Sequence, residues 1–416
     1  MEGKPIMRKL ISGFLAATVL TAALAGCGGA KEQAQTPAGQ TPAPKKDPVS
    51  LVVWSHLTEP EVAEVNKLAQ EWATKTGNKV EVLPDNTGFQ EFSAAALAGK
   101  GPDIMYGLPH DNLGTFQKAG MLEAVPAGVI DTAAYEKVSL DAVSYDGKLY
   151  AVPVSMEAVA LFYNKALVKD APKTWDEFMT NAKAKGFAYD IKNFYHSFGF
   201  IGGMGGYVFK NTGGGLDPKD VGLGNEGAKA ALNLMAGFVN DGMMPLDISG
   251  DSAKATFVGG KAAFYISGPW DIQAAKDAKI DFGIAPMPTL PNGKPFTPFV
   301  GVQSAFVSAN SKAKTEAWDL MKYLQEKTPM PLFKIGNRFP VQKAVKESAE
   351  VKANAALVGF GASAANGMPM PNIPAMSTVW DPAGKMIDLV LSKKADVNKA
   401  TTDAVTAIND AVKAMK

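Results

Sequence analysis

The chain offers few side chains for covalent or metal chemistry. It holds a single thiol, Cys27, and three imidazoles, those of His56, His110 and His196. Nucleophilic hydrolases and zinc proteases carry motifs such as Gly-x-Ser-x-Gly or His-Glu-x-x-His, and neither occurs in the sequence. The segment 258–262, Val-Gly-Gly-Lys-Ala, lacks the leading glycine and the hydroxyl residue of a phosphate-binding loop. The sequence therefore predicts no enzyme, no cofactor and no metal site, with a His56–His110 pair as the alternative for a metal.

Cys27 stands where an export signal would end. Basic residues precede an apolar run at 10–23, and small residues follow at 24–26, which is typical of a signal peptide. Leu-Ala-Gly-Cys at 24–27 resembles the bacterial lipoprotein box, in which the thiol is acylated and the chain is cut just before it. We therefore expect removal of 1–26, export, and an extracytoplasmic chain anchored to the cell membrane by a lipid on Cys27. The alternative is an ordinary signal peptide with an incidental cysteine.

The remaining chain has the composition of a globular protein, with 46% hydrophobic and 20% charged residues. Residues 27–48 are rich in Gly, Pro, Gln, Thr and Lys and predict a disordered tether after the lipidated cysteine. Removal of 1–26, which holds three basic residues and one acidic residue, changes the formal charge from +1 to −1. This balance gives no electrostatic reason to bind nucleic acid. The remaining length of about 390 residues favours two domains, and we expect a monomer.

The folded region is predicted to begin with a strand–helix–strand unit. Residues 50–54 form a short apolar run, and residues 79–83 alternate between apolar and polar. Between them, Glu-Pro-Glu at 59–61 opens a helix that Gly-Asn at 77–78 ends. The apolar stripe of this helix comprises Val62, Val65, Leu68, Ala69 and Trp72. Such a unit implies a mostly parallel, doubly wound sheet.

Strand and helix patterns alternate along the rest of the chain. Tyr-Asp-Gly-Lys-Leu-Tyr at 145–150 predicts a β-hairpin. Helices are predicted at 90–98 and 112–119, from about 174, and from 312 to the end. Further strands are predicted at 103–106, 152–154, 158–163, 264–266, 281–285 and 305–307. The sequence thus predicts an α/β protein throughout.

Several segments in this order resemble the maltose/maltodextrin-binding class of bacterial extracellular solute-binding proteins, the receptors of carbohydrate ABC importers. The segments that carry the resemblance are 52–54, 101–104, 145–153, Glu157 with 163–165, 172–175, 267–270, 298–302, 370–374 and Trp380. Each motif alone is weak, but their common order behind a lipoprotein signal is specific. The resemblance covers almost all of 49–416.

The resemblance implies a periplasmic-binding-protein-like fold, in which two α/β lobes are joined by crossing hinge segments with a ligand cleft between them. The first lobe would comprise 49–155 plus 303–350. The second lobe would comprise 156–302 plus 351–416, including the C-terminal helices. The family closes its cleft by hinge rotation.

The resemblance also implies how a sugar would be bound. A sugar offers C–H faces, which aromatic rings contact, and hydroxyls, which carboxylates accept. Tyr195, Trp270 and Trp380 match the aromatic positions of the cleft, while Glu157 and Asp111 match the hydroxyl acceptors.

Each of these residues also has a structural alternative. The aromatic residues could be packed in the core or in a loop, and Phe194 could exchange roles with Tyr195. Glu157 could pair with a surface lysine, and Asp111 could cap a helix.

The sequence departs from the family pattern at the wall and at the ends of the cleft. In the loop after the first strand, His56 stands where an amide is expected and Glu59 where a cation is expected. The third strand is one residue longer and has no Trp, so Tyr106 is expected to be the local aromatic. The segment 381–384 lacks the usual aromatic residue and Arg. The ligand list therefore also includes Tyr106, Glu59 and His56, and these departures leave the length and type of the sugar open.

The function implied is that of a lipid-anchored receptor that binds maltodextrin-type oligosaccharides, closes on them and delivers them to the membrane-spanning subunits of an ABC importer. The alternatives are a receptor of the same kind for cyclodextrins or galacto-oligosaccharides and a glycoside-active lipoprotein that uses Glu157 and Asp111 as a carboxylate pair. An adhesin or structural lipoprotein is a further alternative and would bind no soluble ligand.

Overall fold

The computed structural model describes residues 47–85, 89–213 and 215–415. The predicted signal peptide, Cys27 and the tether up to residue 46 lie outside the described residues. From Pro48 onward the described chain forms one compact unit. Among the described residues, no helix combines the length and the apolar character that crossing a membrane requires.

The described strands divide between two main sheets and two small hairpins. They are β1 (Ser50–Ser55), β2 (Lys79–Pro84), β3 (Ile104–Pro109), β4 (Ser144–Tyr145), β5 (Lys148–Leu149), β6 (Val152–Glu157), β7 (Ala160–Asn164), β8 (Phe187–Ala188), β9 (Phe209–Asn211), β10 (Leu216–Val221), β11 (Phe264–Ser267), β12 (Phe282–Ala285), β13 (Phe299–Val307), β14 (Phe339–Pro340) and β15 (Met368–Pro369).

The described helices cover the two main sheets. They are α1 (Glu59–Thr76), α2 (Phe89–Leu97), α3 (Leu113–Lys118), α4 (Lys137–Ala142), α5 (Trp175–Lys185), α6 (Phe194–Met204), α7 (Glu226–Asn240), α8 (Gly250–Val258), α9 (Ile272–Asp277), α10 (Lys314–Lys327), α11 (Pro329–Gly336), α12 (Lys343–Lys346), α13 (Ala349–Lys352), α14 (Ala355–Ala364), α15 (Trp380–Leu391) and α16 (Val397–Ala414). Short 3₁₀ turns lie at His110–Asn112, Thr132–Ala134, Gly222–Gly224, Pro269–Asp271 and Pro374–Thr378.

The first sheet has the strand order β14-β6-β13-β3-β1-β2, with β15 beside β13. Strand β1 is parallel to β2 and to β3, which confirms the predicted strand–helix–strand unit. Strand β13 is antiparallel to β3 and to β6, and β14 is antiparallel to β6. The prediction of a mostly parallel sheet is therefore wrong, because β13 returns from the second sheet and enters the first one from the opposite end.

The second sheet has the order β12-β7-β11-β8 and is also mixed. Strand β7 pairs antiparallel with β11 and β12, while β8 is parallel to β11. Helices α5 to α9 and α14 to α16 pack on this sheet around one large apolar core. We call this layer the second lobe, and the first sheet with α1, α2, α3, α10 and α11 the first lobe; the two α/β lobes confirm the predicted fold class.

Strand β13 connects the two cores. Phe299, at its start, belongs to the core of the second lobe. Val302 and Phe306, further along the strand, belong to the core of the first lobe. A second connection runs from β6 to β7, because β6 pairs in the first sheet and β7 in the second. Residues near Glu157 and Phe299 therefore lie at the boundary between the two lobes.

Strand β3 contains a β-bulge at Gly107. Leu108 of β3 pairs with Ser304, Tyr106 pairs with Ala305, and Gly107 between them has no partner in this pairing. The φ angle of Gly107 is +83°, a conformation that glycine adopts readily. The bulge interrupts the alternation of side chains, so that Tyr106 and Leu108 belong to different apolar clusters.

Candidate functional site

The three predicted stacking residues surround the start of β13. The ring of Tyr195 lies 6.2 Å from that of Phe299 and 6.3 Å from that of Trp270, measured between centroids. The ring of Trp380 lies 6.1 Å from that of Phe299. Each of the three side chains is partly exposed and packs on the core of the second lobe. The structure thus brings Tyr195, Trp270 and Trp380 into one aromatic group, centred on Phe299.

Local structure fixes the direction of these rings. Tyr195 lies in the first turn of α6, where its backbone N–H donates to the side-chain oxygen of Asn193 at 2.9 Å. Trp270 lies in the 3₁₀ turn after β11, and its ring covers Gly268 so closely that a Cβ there would collide with it. Trp380 is the first residue of α15. Two helix starts and one strand end therefore present aromatic side chains to the same space.

Asp111 reaches this group from the first lobe. It lies in the 3₁₀ turn that follows β3 directly and is 3% exposed. Its Oδ2 accepts hydrogen bonds from Trp380 Nε1 at 3.1 Å and from Asn112 Nδ2 at 2.8 Å. Burial raises the pKa of Asp111 to about 7, although the hydrogen bonds it accepts act in the opposite direction. The charge of this carboxyl therefore changes near neutral pH.

The neighbouring His110 joins the connecting segments. The backbone N–H of Val302 donates to its Nδ1 at 3.0 Å, so the ring proton is on Nε2, which donates to the carbonyl of Met370 at 3.1 Å. Burial lowers the pKa of His110 to about 4, so that the ring is neutral at physiological pH. Both ring nitrogens are engaged, and His56 contacts the carbonyl of Asp85 instead, at 3.0 Å. The alternative of a His56–His110 metal site is therefore wrong.

Glu157 ends β6 and lies in a network of buried polar groups. Its Oε1 accepts a hydrogen bond from Gln303 Nε2 at 2.7 Å, and its Oε2 accepts one from Arg338 Nη1 at 2.6 Å. The side chain is 8% exposed. The alternative of a pair with a surface lysine is wrong, because the cationic partner of Glu157 is a buried arginine.

The hydroxyl of Tyr195 is buried and has no hydrogen-bond partner among the described residues. Burial raises the pKa of Tyr195, and the carboxylates of Glu157 and Asp111 raise it further. The charges of Glu157, at the end of β6, and of Asp111, in the turn after β3, therefore both act on this hydroxyl. A buried hydroxyl without a partner is destabilising, and a bound polar molecule would satisfy it.

Three other predicted residues lie apart from the aromatic group. Tyr106 is fully buried, and its hydroxyl lies 2.8 Å from Thr328 Oγ1. The prediction that Tyr106 binds ligand is therefore corrected: before the bulge at Gly107, the strand turns this side chain into the core beneath α10 and α11. Glu59 is exposed at the first position of α1. No hydrogen bond or ion pair of the described residues joins Glu59 or His56 to Asp111, Glu157 or the aromatic group.

Sequence reasoning missed Phe299, Gln303 and Arg338. Phe299 and Gln303 fall in or just beyond the segment 298–302, which carried the family resemblance, so strand alternation could have indicated their positions. Arg338 is 181 positions away from Glu157, and no spacing rule could have paired the two.

A cavity that Glu157 lines differs from the aromatic group in character. It has a volume of about 320 Å³ and is lined mainly by apolar residues, among them Phe339, Phe360 and Val300. A second cavity, of about 690 Å³, shares Val138 and Pro369 with it. Of the described residues, Tyr195, Trp270, Trp380 and Asp111 line neither cavity, so we do not assign the predicted chemistry to these spaces.

Two α/β lobes meet at a boundary where aromatic and acidic side chains converge. Residues 67–359 match the family model described as bacterial extracellular solute-binding protein, and the chain belongs to this family. The predicted resemblance is thereby confirmed.

Curated relatives match over most of their length. A "Maltooligosaccharide ABC transporter solute-binding lipoprotein" of Streptococcus pneumoniae strain R6 is 32% identical over 371 residues, which are 84% of this chain and 86% of the relative. A "Galactooligosaccharide-binding protein" of Bacillus subtilis is 30% identical over 422 residues, 98% of each chain. These relatives are named as binding proteins and not as enzymes, which confirms the prediction that the chain is a binding protein and not an enzyme.

A solved structure matches most of the chain. A maltose-maltodextrin binding protein of the bacterium Alicyclobacillus acidocaldarius has a TM-score of 0.83 and 40% sequence identity. The match covers 86% of this chain and 99% of that protein.

Proposed function

We propose that the protein is a receptor that binds maltodextrin-type oligosaccharides between its two lobes. The observation that carries this proposal is the meeting of Tyr195, Trp270 and Trp380 with two buried acids, Asp111 and Glu157. The partly exposed rings are suited to the C–H faces of a sugar, and the acids are suited to its hydroxyls. The unpaired hydroxyl of Tyr195 is a further group that a sugar would satisfy.

Binding between the lobes gives sugar a means to close them. A ligand shifts a conformational equilibrium only through contacts that differ between the two states. Asp111 belongs to the first lobe and Trp380 to the second, so a sugar that contacts both is bound better when the lobes are together. In this proposal the first lobe comprises 49–155 plus 303–350 and the second comprises 156–302 plus 351–416, so that Glu157, which ends β6 of the first sheet, lies at the crossing between the two lobes.

Capture would be followed by delivery to the membrane-spanning subunits of an ABC importer. The name of the pneumococcal relative, an ABC transporter solute-binding lipoprotein, supports this step and the lipid anchor on Cys27. Lipid at the N-terminus would keep a monomeric receptor at the outer face of the cell membrane, beside the transporter.

The type of sugar has two main candidates. The pneumococcal relative and the Alicyclobacillus structure are named for maltooligosaccharides and maltodextrins, which favours α-glucans. The Bacillus relative is named for galactooligosaccharides and supports the second candidate. His56 and Glu59, which depart from the family pattern, lie outside the aromatic group, so we infer that they do not decide between the two.

Isothermal titration calorimetry tests the proposal. The purified protein is titrated with maltose, maltotriose, a longer maltodextrin, β-cyclodextrin and a galacto-oligosaccharide. We expect a micromolar Kd, about −8 kcal/mol, for at least one α-glucan. Binding of the galacto-oligosaccharide alone would assign the second candidate. Absence of heat with every sugar, from a protein shown to be folded, would contradict the function as a sugar receptor.

A further inference from the structure

A buried arginine links Glu157 to a second carboxylate in the first lobe. Arg338 is 5% exposed. Its Nε and Nη2 donate to the two oxygens of Glu61 at 2.7 and 2.9 Å. Its Nη1 donates to Glu157 Oε2 at 2.6 Å. One guanidinium group therefore holds two carboxylates that would otherwise repel each other in a buried setting.

The position of Arg338 is fixed from both sides. Glu61 lies in the first turn of α1, where its Oε2 also accepts a hydrogen bond from Thr58 Oγ1 at 2.6 Å. Arg338 directly precedes β14, whose Phe339 pairs with Met156 of β6. Gly336 packs against Glu61 so closely that any side chain there would displace the carboxylate. The link thus joins the N-terminus of α1 to the end of β6.

Glu157 is also held from its other oxygen. Gln303 donates its Nε2 to Glu157 Oε1 at 2.7 Å, and this donation fixes the orientation of the amide. Gln303 is 5% exposed, and its Oε1 has no hydrogen-bond partner among the described residues. The amide therefore has one acceptor left for a ligand hydroxyl beside the carboxylate.

We propose that Arg338, anchored by Glu61, is a positioning residue that keeps Glu157 charged and oriented as the hydroxyl acceptor of the sugar site. The inference rests on the proposed function, because Arg338 is assigned its role only as the neighbour of Glu157, which is proposed to contact the sugar. Gln303 completes the arrangement from β13. Arg338 itself is occupied by carboxylates and acts through Glu157.

Electrostatics explains why Glu157 needs this support. Burial raises the pKa of Glu157, against the attraction of Arg338 and the hydrogen bond from Gln303, and Glu61 raises it further. Burial is also the largest single influence on Glu61 and acts to raise its pKa, but the hydrogen bonds and charge of Arg338 together with the hydrogen bonds from Thr58 lower that pKa overall. Tyr195 is the other titratable group that faces Glu157. We call Glu61, Arg338 and Glu157 the triad. Of its two carboxyl groups, that of Glu157 is therefore the first to become protonated when the pH falls or the arginine is removed.

The stability of the fold alone does not require such a triad. Buried ion pairs lose much of their Coulomb energy to desolvation, and apolar replacements are often as stable. A charged acceptor, however, forms stronger hydrogen bonds to hydroxyls than a neutral one. A role in ligand binding therefore accounts for the triad better than a role in stability.

A double-mutant cycle on sugar affinity tests the proposal. It uses the purified full-length protein in detergent and the sugar that the wild type binds most tightly. We expect Arg338→Met to weaken binding roughly tenfold, and Arg338→Lys to restore part of the loss. In the Glu157→Gln background, Arg338→Met should change the affinity less than twofold. An equal loss in both backgrounds would overturn the proposal, because Arg338 would then act through the scaffold.

A measurement without sugar separates this inference from the proposed function. The infrared band of protonated carboxyl groups is followed against pH, and the contribution of Glu157 is identified by its loss in Glu157→Gln. We expect this band to appear at higher pH in Arg338→Met than in the wild type. If Arg338→Met does not fold, Glu61→Gln provides a test with the opposite expected shift. Glu157 is then the one charged carboxylate bound to Arg338, so its band should appear at lower pH. An unchanged midpoint in the variant measured would overturn the inference, whether or not any sugar binds.

Discussion

The indole N–H of Trp380 donates to Oδ2 of Asp111 at 3.1 Å and so joins a residue of the second lobe to one of the first. The two residues are 269 positions apart in the chain. Each lies directly where a regular element begins or ends: Trp380 begins α15, and Asp111 follows β3. The bond lies beside the aromatic group that we propose as the sugar site, so a sugar that enters must replace it or share it.

The first prediction concerns the charge of Asp111. Its pKa is about 7 in the folded protein, against roughly 3.9 in an unfolded chain. Between these values the folded state binds more protons, so the free energy of unfolding falls as the pH rises from about 4 to 7. Three pKa units correspond to at most about 4 kcal/mol. Asp111→Asn removes this effect, and we expect it to raise the free energy of unfolding at pH 8, measured with urea.

The same variant at pH 5 is the control. At pH 5 Asp111 is mostly protonated in the folded protein but mostly ionised in the unfolded chain, so only about one pKa unit of the effect, roughly 1.5 kcal/mol, is present there and the variant should gain clearly less stability than at pH 8. A difference that is equal at pH 5 and pH 8 would show that the carboxyl does not titrate in this range.

The second prediction concerns stacking. Trp270→Ala removes a partly exposed ring from the aromatic group, and we expect sugar binding to weaken at least tenfold, about 1.4 kcal/mol, without unfolding of the protein. Trp175→Ala is the matched control, because Trp175 is also partly buried in the second lobe but packs on Phe178 and Phe238. Calorimetry should show unchanged affinity for the control. Equal affinities of wild type and Trp270→Ala would exclude the stacking role.

The third prediction concerns the unpaired hydroxyl of Tyr195. Tyr195→Phe removes a buried polar atom without a described partner, so the free protein should be as stable as the wild type or more stable by about 1 kcal/mol. Sugar affinity should nevertheless fall several-fold, because the hydroxyl is expected to bond to the ligand. Tyr189→Phe is the control, since the hydroxyl of Tyr189 is also buried without a described partner but its ring packs on Phe187 and Phe200. Unchanged affinity in Tyr195→Phe would argue for a packing role alone.

The fourth prediction concerns the bulge in β3. Gly107→Ala forces a side chain into a φ of +83° and would place its Cβ 2.5 Å from the side chain of Leu57. We expect a loss of stability of about 1–3 kcal/mol in urea unfolding. Gly99→Ala shares the positive φ, +65°, but its Cβ would have no neighbour within 4 Å. The control should lose less, and equal losses would show that strain alone, without the contact to Leu57, determines the cost.

Local patterns predicted the elements of the first lobe well. The apolar stripe of α1 is buried along its length, and Gly77 ends the helix in a left-handed conformation, as expected. The predicted hairpin forms at β4 and β5, with positive φ angles at Asp146 and Gly147. These features depend on neighbours in sequence, which is why residue spacing could indicate them.

Features that depend on distant parts of the chain could not be predicted in this way. The antiparallel course of β13 follows from where the chain returns between the lobes. The burial of Tyr106 depends on a bulge, which a strand pattern does not reveal. The pairing of Glu157 with Arg338 joins segments that share no motif. The family resemblance indicated the positions of Asp111, Tyr195, Trp270 and Trp380 but not the partners that orient the acids.

The crystal structure of the complex with the sugar that binds most tightly would test the central claim most directly. We predict sugar rings packed against Trp270 and Trp380, with hydroxyls bonded to Tyr195, Glu157 and Asp111. A sugar that contacts none of the three rings, for example one confined to the apolar cavity between Glu157, Phe339 and Phe360, would contradict the proposed site while leaving the family and the fold unchanged.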